Sequence, residues 1–254
     1  MRSEPPTREL PPELQALERR FVLATTDVAL PGGVVTLEHP RNADDLISEV
    51  EFARDERLPY WADIWPSATA LATVVDRSAE LLSRLTTTDR ANPNGGPEQA
   101  LPHRVRALEL GCGVGLVTVA ALRAGFDVTA TDYYPDALLF TRRNAMRTLG
   151  MDPATRMVDW RDLPGDLGRF DLLLASDVLY ERPYATLVCD AIVSSLAAGG
   201  VALVADPGRV ALLTFITACE ERGCTVSVRE RVPWQDGTAR QTITIHEIHA
   251  PQGA

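Results

Sequence analysis

Hydrophobic positions along the chain show two alternating patterns. From Val105 onward, short apolar runs alternate with longer segments whose apolar residues recur at helical spacing. Val105–Leu110 reads as a strand, Val114–Arg123 as a helix closed by Gly125, and Asp127–Thr131 as a second strand. Pro135–Leu149 has proline at an early helical position and Gly150 just past its end, which predicts a helix. Residues 155–159 predict a short strand, and Phe170–Ala175 (FDLLLA) a fully buried one. Helices are expected over 182–197 and Gly208–Arg222, with a strand at Val201–Ala205 between them. Thr225–Val232 and Thr238–His249 read as strands around a turn at Pro233–Gly237. With no helix between them, they predict an antiparallel hairpin at the sheet edge. Strand–helix alternation with apolar strands implies an α/β fold, a mostly parallel sheet covered on both faces.

The first hundred residues are less regular. Residues 1–18 are expected to be disordered or loosely helical. Phe21–Thr26 and Val34–His39 read as strands around Pro31-Gly32-Gly33. Residues 44–58 are charged and give no clear pattern. Ser67 is placed to cap a helix running to about Leu85, and 87–103 form a polar loop rich in proline and glycine. The expected organisation is a single domain over 19–254, with 19–58 as an N-terminal β extension and 59–254 as the core.

Composition narrows the function classes. A chain of 254 residues with 45% hydrophobic content supports one sizeable core. No apolar run reaches the roughly 18 residues of a membrane span. The N-terminus is rich in proline and glutamate, unlike a signal or transit peptide, so a cytoplasmic location is expected. Cys112, Cys189, Cys219 and Cys224 fit neither a redox pair nor a zinc site and read as free thiols; no metal is expected. The net charge of −10, with no basic run longer than a pair, argues against nucleic acid and for a cationic partner. All 25 basic residues are arginine, for which GC-rich coding is the simplest account.

The chemistry-bearing residues lie at strand ends. Leu108-Glu109-Leu110-Gly111-Cys112-Gly113-Val114-Gly115 leaves a strand and opens a helix. Its glycines allow a sharp turn and close approach of a ligand. The next strand ends at Asp132, about 20 residues on, where a carboxylate can accept ribose hydroxyls. A dinucleotide would need a small residue where Leu116 stands, and Glu109 would repel a pyrophosphate. A cationic sulfonium tolerates that acid, so S-adenosylmethionine (SAM) ranks above NAD. Asp159 and Trp160, after the third strand, are placed to meet an adenine, although core packing explains Trp160 equally well.

Asp177 and Tyr180 follow the FDLLLAS strand at the ligand edge of the sheet. Asp177 could hold an ammonium and Tyr180 pack on a cation, or Asp177 could simply cap the next helix. Pro59–Ala68 carries Tyr60, Trp61 and Trp65, which could form a hydrophobic staple or roof the cofactor. Asp206-Pro207-Gly208-Arg209 ends another strand at the same edge. His246 and His249 fall on opposite faces of a strand and make no metal pair.

Taken together, LELGCGVG, Asp132, Asp159-Trp160, SDVLY and WADIWPSA resemble the seven-β-strand protein lysine methyltransferases over roughly residues 55–210. PYWADIWPSATALA and ADPGR look most like the members acting on the electron transfer flavoprotein β subunit. The resemblance implies a three-layer, Rossmann-like class I methyltransferase fold, with a mostly parallel seven-stranded sheet and an antiparallel C-terminal strand. It implies SAM contacts from Trp65, Gly111, Cys112, Gly113, Asp132, Trp160 and Ser176, beside which Glu109, Tyr133 and Asp159 complete the expected cofactor set. It makes Asp177 and Tyr180 the substrate-side pair, acting on lysine of a protein substrate, the flavoprotein β subunit among the candidates. The competing expectations are a small-molecule N-methyltransferase acting on nicotinamide or an amine, and a non-catalytic SAM-fold binding subunit. A lysine amine must lose its proton before transfer, at a cost of about 4 kcal/mol at neutral pH. Asp177 is assigned to align the amine, with the proton leaving to water or through Tyr180.

Overall fold

The computed structural model describes residues 9–46, 58–87 and 104–251. The apolar runs read as strands assemble into one seven-stranded sheet of order β5-β4-β3-β6-β7-β9-β8. Its strands are β3 (Arg106–Leu110), β4 (Asp127–Asp132), β5 (Ala154–Met157), β6 (Phe170–Ser176), β7 (Leu196–Asp206), β8 (Thr225–Asp236) and β9 (Ala239–His249). Strands β3 to β7 run parallel, and β9 inserts antiparallel between β7 and β8. The direction of strand addition reverses between β3 and β6, so the ligand crevice of such a sheet opens there, beyond the carboxyl ends.

Helices cover both faces because the central strands are apolar on both. One face carries α3 (Pro66–Asp76), α4 (Ala79–Thr87), α5 (Leu116–Arg123) and α6 (Pro135–Leu149), with Ala107, Leu172, Leu174 and Leu203 packed beneath. The other carries α7 (Tyr184–Ser195) and α8 (Leu212–Glu221) over Leu108, Leu110, Leu173 and Val204.

Within the stretch expected to be disordered or loosely helical, residues 12–20 form two helical turns, α1 (Pro12–Gln15) and α2 (Leu17–Arg20). They are ordered because Leu14 and Leu17 are fully buried and Arg143, itself fully buried on α6, donates to the Leu14 carbonyl (2.7 Å) and pairs with Glu18 and Glu38. The expected helix from Ser67 to Leu85 is split. The Ser78 hydroxyl bonds back to the Val74 carbonyl, while its own carbonyl accepts from Leu82 N (3.1 Å) and starts α4. The predicted loop at 87–103 falls almost wholly outside the described residues.

The hairpin β1 (Leu23–Leu30) and β2 (Gly33–Pro40) lies against α6. Asn144 pairs with the β2 backbone like a strand neighbour, accepting from Glu38 N (2.8 Å) and donating to Glu38 O (2.9 Å). The same amide nitrogen reaches Val114 O (2.8 Å) in the glycine turn, so the extension and the turn share one anchor. Replacing Arg143 by alanine strands the Leu14 carbonyl and leaves Glu38 with Arg147 alone. It is expected to lower the unfolding free energy by about 3 kcal/mol, measured by urea denaturation.

Candidate functional site

The site follows from strand register. Leu110 pairs with Thr131 of β4 and with Ala175 of β6, so the next residue along each strand, Gly111, Asp132 and Ser176, emerges level at the sheet edge. Gly111 and Gly113 have left-handed backbones (φ 71° and 53°). A side chain at Gly113 would press on the Trp61 carbonyl at 3.0 Å. Gly115 caps α5 with φ 91°, and a Cβ there would lie 2.8 Å from Thr141 on α6, so this position accepts no side chain.

Asp132 closes the turn. Its Oδ2 accepts from Gly113 N (2.9 Å) and its Oδ1 from Tyr134 N (3.0 Å). Burial pushes its acidity weaker than usual, against the pull of these amides. Glu109, the penultimate residue of β3, is buried and accepts from the Thr118 hydroxyl. Burial is the largest influence on it and pushes its pKa up to about 8. Cys112 is buried, with Thr141 Oγ1 donating to its sulfur (3.2 Å), and burial pushes its thiol well above the usual range.

These groups line one cleft. All twelve residues singled out from sequence line it: Trp65, Glu109, Gly111, Cys112, Gly113, Asp132, Tyr133, Asp159, Trp160, Ser176, Asp177 and Tyr180. Trp160 packs edge-on to Tyr184 at 5.5 Å. Asp159 lies past the end of β5 and is gripped by Arg161, whose Nη2 is 2.7 Å away and whose guanidinium lies 5.9 Å from the Tyr133 ring centre. The far wall is a run of aromatics: Tyr60 packs on Trp65 (5.9 Å) and Tyr180 (5.2 Å), and Tyr180 on Tyr184 (4.9 Å). Trp65 Nε1 donates to Tyr60 O (2.8 Å), fixing the indole. The sequence reading missed Tyr184; its position one helical turn beyond Tyr180 was the available signal.

Asp177 stands where β6 leaves the sheet, with a left-handed backbone (φ 58°) unique to it among the described non-glycine residues. It does not cap the next helix; the residue before α7 is Pro183. Its carboxylate accepts from Ser67 Oγ (3.0 Å) and Arg209 Nε (2.6 Å). Ser67 is therefore no helix cap either: Trp65 precedes the helix, Pro66 opens it, and the hydroxyl points to Asp177. Burial, then Tyr184, pushes the Tyr180 hydroxyl well above its ordinary value. His246 is buried on β9 and His249 bonds Glu247 (2.9 Å); neither lines the cleft.

Residues 107–200 match the family described as a methyltransferase domain. With the sheet order above, the fold is that of the class I, Rossmann-like methyltransferases. The chain is similar to the electron transfer flavoprotein beta subunit lysine methyltransferase of Xenopus laevis, 30% identical over 154 residues (59% of this chain, 53% of the relative). It is also similar to the protein-lysine methyltransferase METTL21E of Mus musculus, 28% identical over 134 residues (49% of this chain, 47% of the relative). The matched segments span about half the length of these relatives. Among solved structures, the ribosomal protein L11 methylase of Lactobacillus delbrueckii subsp. bulgaricus shares the fold, with a TM-score of 0.50 at 17% identity, covering 74% of this chain and 81% of that one.

The buried acid at Glu109 gives a pH signature. Folded, it keeps its proton up to about pH 8; unfolded, it loses it near 4.5. The folded state thus holds more protons between those values, and stability falls as pH rises across that window. Glu109→Gln is expected to remove about 2 kcal/mol of the loss between pH 6 and 8, measured as the difference from wild type in urea denaturation.

Proposed function

We propose that this protein is a SAM-dependent N-methyltransferase that methylates lysine side chains of a protein substrate. One observation carries the reading. The glycine turn with its Asp132 carboxylate, and an aromatic wall with Asp177 behind it, are two ends of the same cleft. The relatives named as lysine methyltransferases support it.

The residues present fit the cofactor. The turn has close-packed glycines where a ligand would lie against backbone, and its acids suit a cationic sulfur better than a phosphate. Asp132 would accept the ribose hydroxyls, Trp160 and Asp159 would flank the adenine, and Glu109, beneath the turn, would gain negative charge as a bound cation lowers its pKa. SAM, when bound, supplies a methyl group activated by its positive sulfur. The chain itself does the positioning. Tyr60, Trp65 and Tyr180 exclude water and attract a cationic side chain by their ring faces. Asp63 and Glu181 line the cleft as well, and with a net charge of −10 they draw cations toward it. Proton loss from the amine goes to water or through Tyr180.

No helix among the described residues is long and apolar enough to cross a membrane, and all four cysteines are free and buried. Both agree with work in a reducing cytoplasm. The electron transfer flavoprotein β subunit is a candidate acceptor by similarity to the relative named for it.

Incubation with labelled SAM and host lysate is expected to label a protein band, with mass spectrometry placing the methyl on lysine. Label confined to a small metabolite would support the small-amine reading instead. Asp132→Ala is expected to weaken SAM binding about a hundredfold by calorimetry. Asp177→Ala should abolish transfer and leave SAM affinity within about threefold. Wild-type turnover in the latter variant would remove Asp177 from the acceptor site.

A further inference from the structure

The carboxylate of Asp177, expected to meet the acceptor amine, already has partners on both oxygens: Ser67 Oγ at 3.0 Å and Arg209 Nε at 2.6 Å. Its side chain is 4% exposed, that of Arg209 34%. Arg209 is held from three directions. Its amide donates to Asp206 Oδ1 (2.7 Å), its guanidinium carbon lies 5.4 Å from the Trp65 ring centre, and its Nε bonds Asp177. Gly208 N also donates to Asp206 Oδ1 (2.6 Å), so the loop wraps its own carboxylate and delivers Arg209 to Asp177. Trp65 and Asp177 line the cleft and Arg209 does not. The guanidinium stands behind them.

The placement matters for an amine acceptor, because the attacking nitrogen needs its lone pair. An uncompensated carboxylate within about 4–6 Å favours the ammonium by about one to three pKa units and so opposes transfer. A fixed guanidinium on the same carboxylate cancels most of that field. We infer that Arg209 is a specificity-determining positioning residue: it neutralises Asp177 from behind, so that the acceptor pocket takes its nitrogen uncharged. Attraction of the incoming cation is left to the aromatic wall and the acidic lining. The inference rests on the proposed reading of this cleft as the acceptor pocket.

Other charged or ionisable groups face the same region. They are Asp206 on the β7 loop, Tyr180 and Glu181 after β6, Tyr184 on α7, Asp132 at the end of β4 and Asp63 before α3. Tyr60, the buried Glu109 and Cys112, Tyr133, Tyr134 and the Asp159–Arg161 pair also line the cleft. All are retained when Arg209 alone is replaced, so a difference between variants reports the Arg209–Asp177 pair.

The test uses n-butylammonium chloride as the probe, titrated at pH 7.5 into the full chain and followed by calorimetry. Arg209→Met keeps the aliphatic stem over Trp65 and drops the charge. It is expected to bind the charged probe about tenfold tighter than wild type. Arg209→Gln should do the same, and it serves if the methionine variant folds poorly. Arg209→Lys should restore weak binding, and Asp177→Asn/Arg209→Met should return to within about twofold of wild type. A residue that merely braces the loop would give unchanged or weaker probe binding. Absence of the gain in both single variants, or its persistence in the double variant, overturns the inference. SAM titrated into the same variants keeps the two readings apart. Tighter amine binding without SAM binding would sink the cofactor assignment and leave the role of Arg209 standing.

Discussion

The hydrogen bond from the Gly113 amide to the Asp132 carboxylate is the constraint on which the site depends. It joins the ends of two neighbouring parallel strands across the turn. The strand register brings the partners within reach, and the left-handed glycines let the turn curl back to make the bond. The Trp61 carbonyl packs against the outside of the same turn, so the aromatic segment before α3 takes its height from it. Shifting the register by one residue would lose the carboxylate and the wall together.

The electrostatics follow from burying two acids at one turn. Asp132 is compensated by backbone amides; Glu109 has one hydroxyl donor and a shift dominated by desolvation. A positively charged ligand would relieve both, whereas a phosphate would add to the strain. At the acceptor end the protein supplies its own cation, Arg209, and seats it behind Asp177. The two ends of the cleft therefore treat charge differently: Glu109 and Asp132 stand together at the turn, whereas Asp177 is paired with Arg209.

The N-terminal extension supports this arrangement. Phe21 and Phe140 pack on Trp61 at 6.4 and 5.6 Å, and Asn144 ties β2 to Val114. The roof of the cleft thus rests on contacts between elements that strand and helix patterns could each predict but could not bring together.

The sequence by itself determined the α/β alternation, the edge hairpin and the loops that carry chemistry, because apolar period and glycine placement act locally. Pro135–Leu149 is a helix over the range its proline and glycine signalled. Gly111, Asp132, Trp160 and Asp177 could be singled out because each ends or follows a strand. Only the tertiary structure decided what those side chains touch. Ser67 reads as a helix cap and turns out to hold an acid 110 positions away. Arg209 reads as part of a turn and neutralises that same acid. Tyr184 joins the wall through a packing contact with Tyr180. A charge balance of this kind is set by distances of a few ångströms between separate elements, and linear spacing carries no information about them.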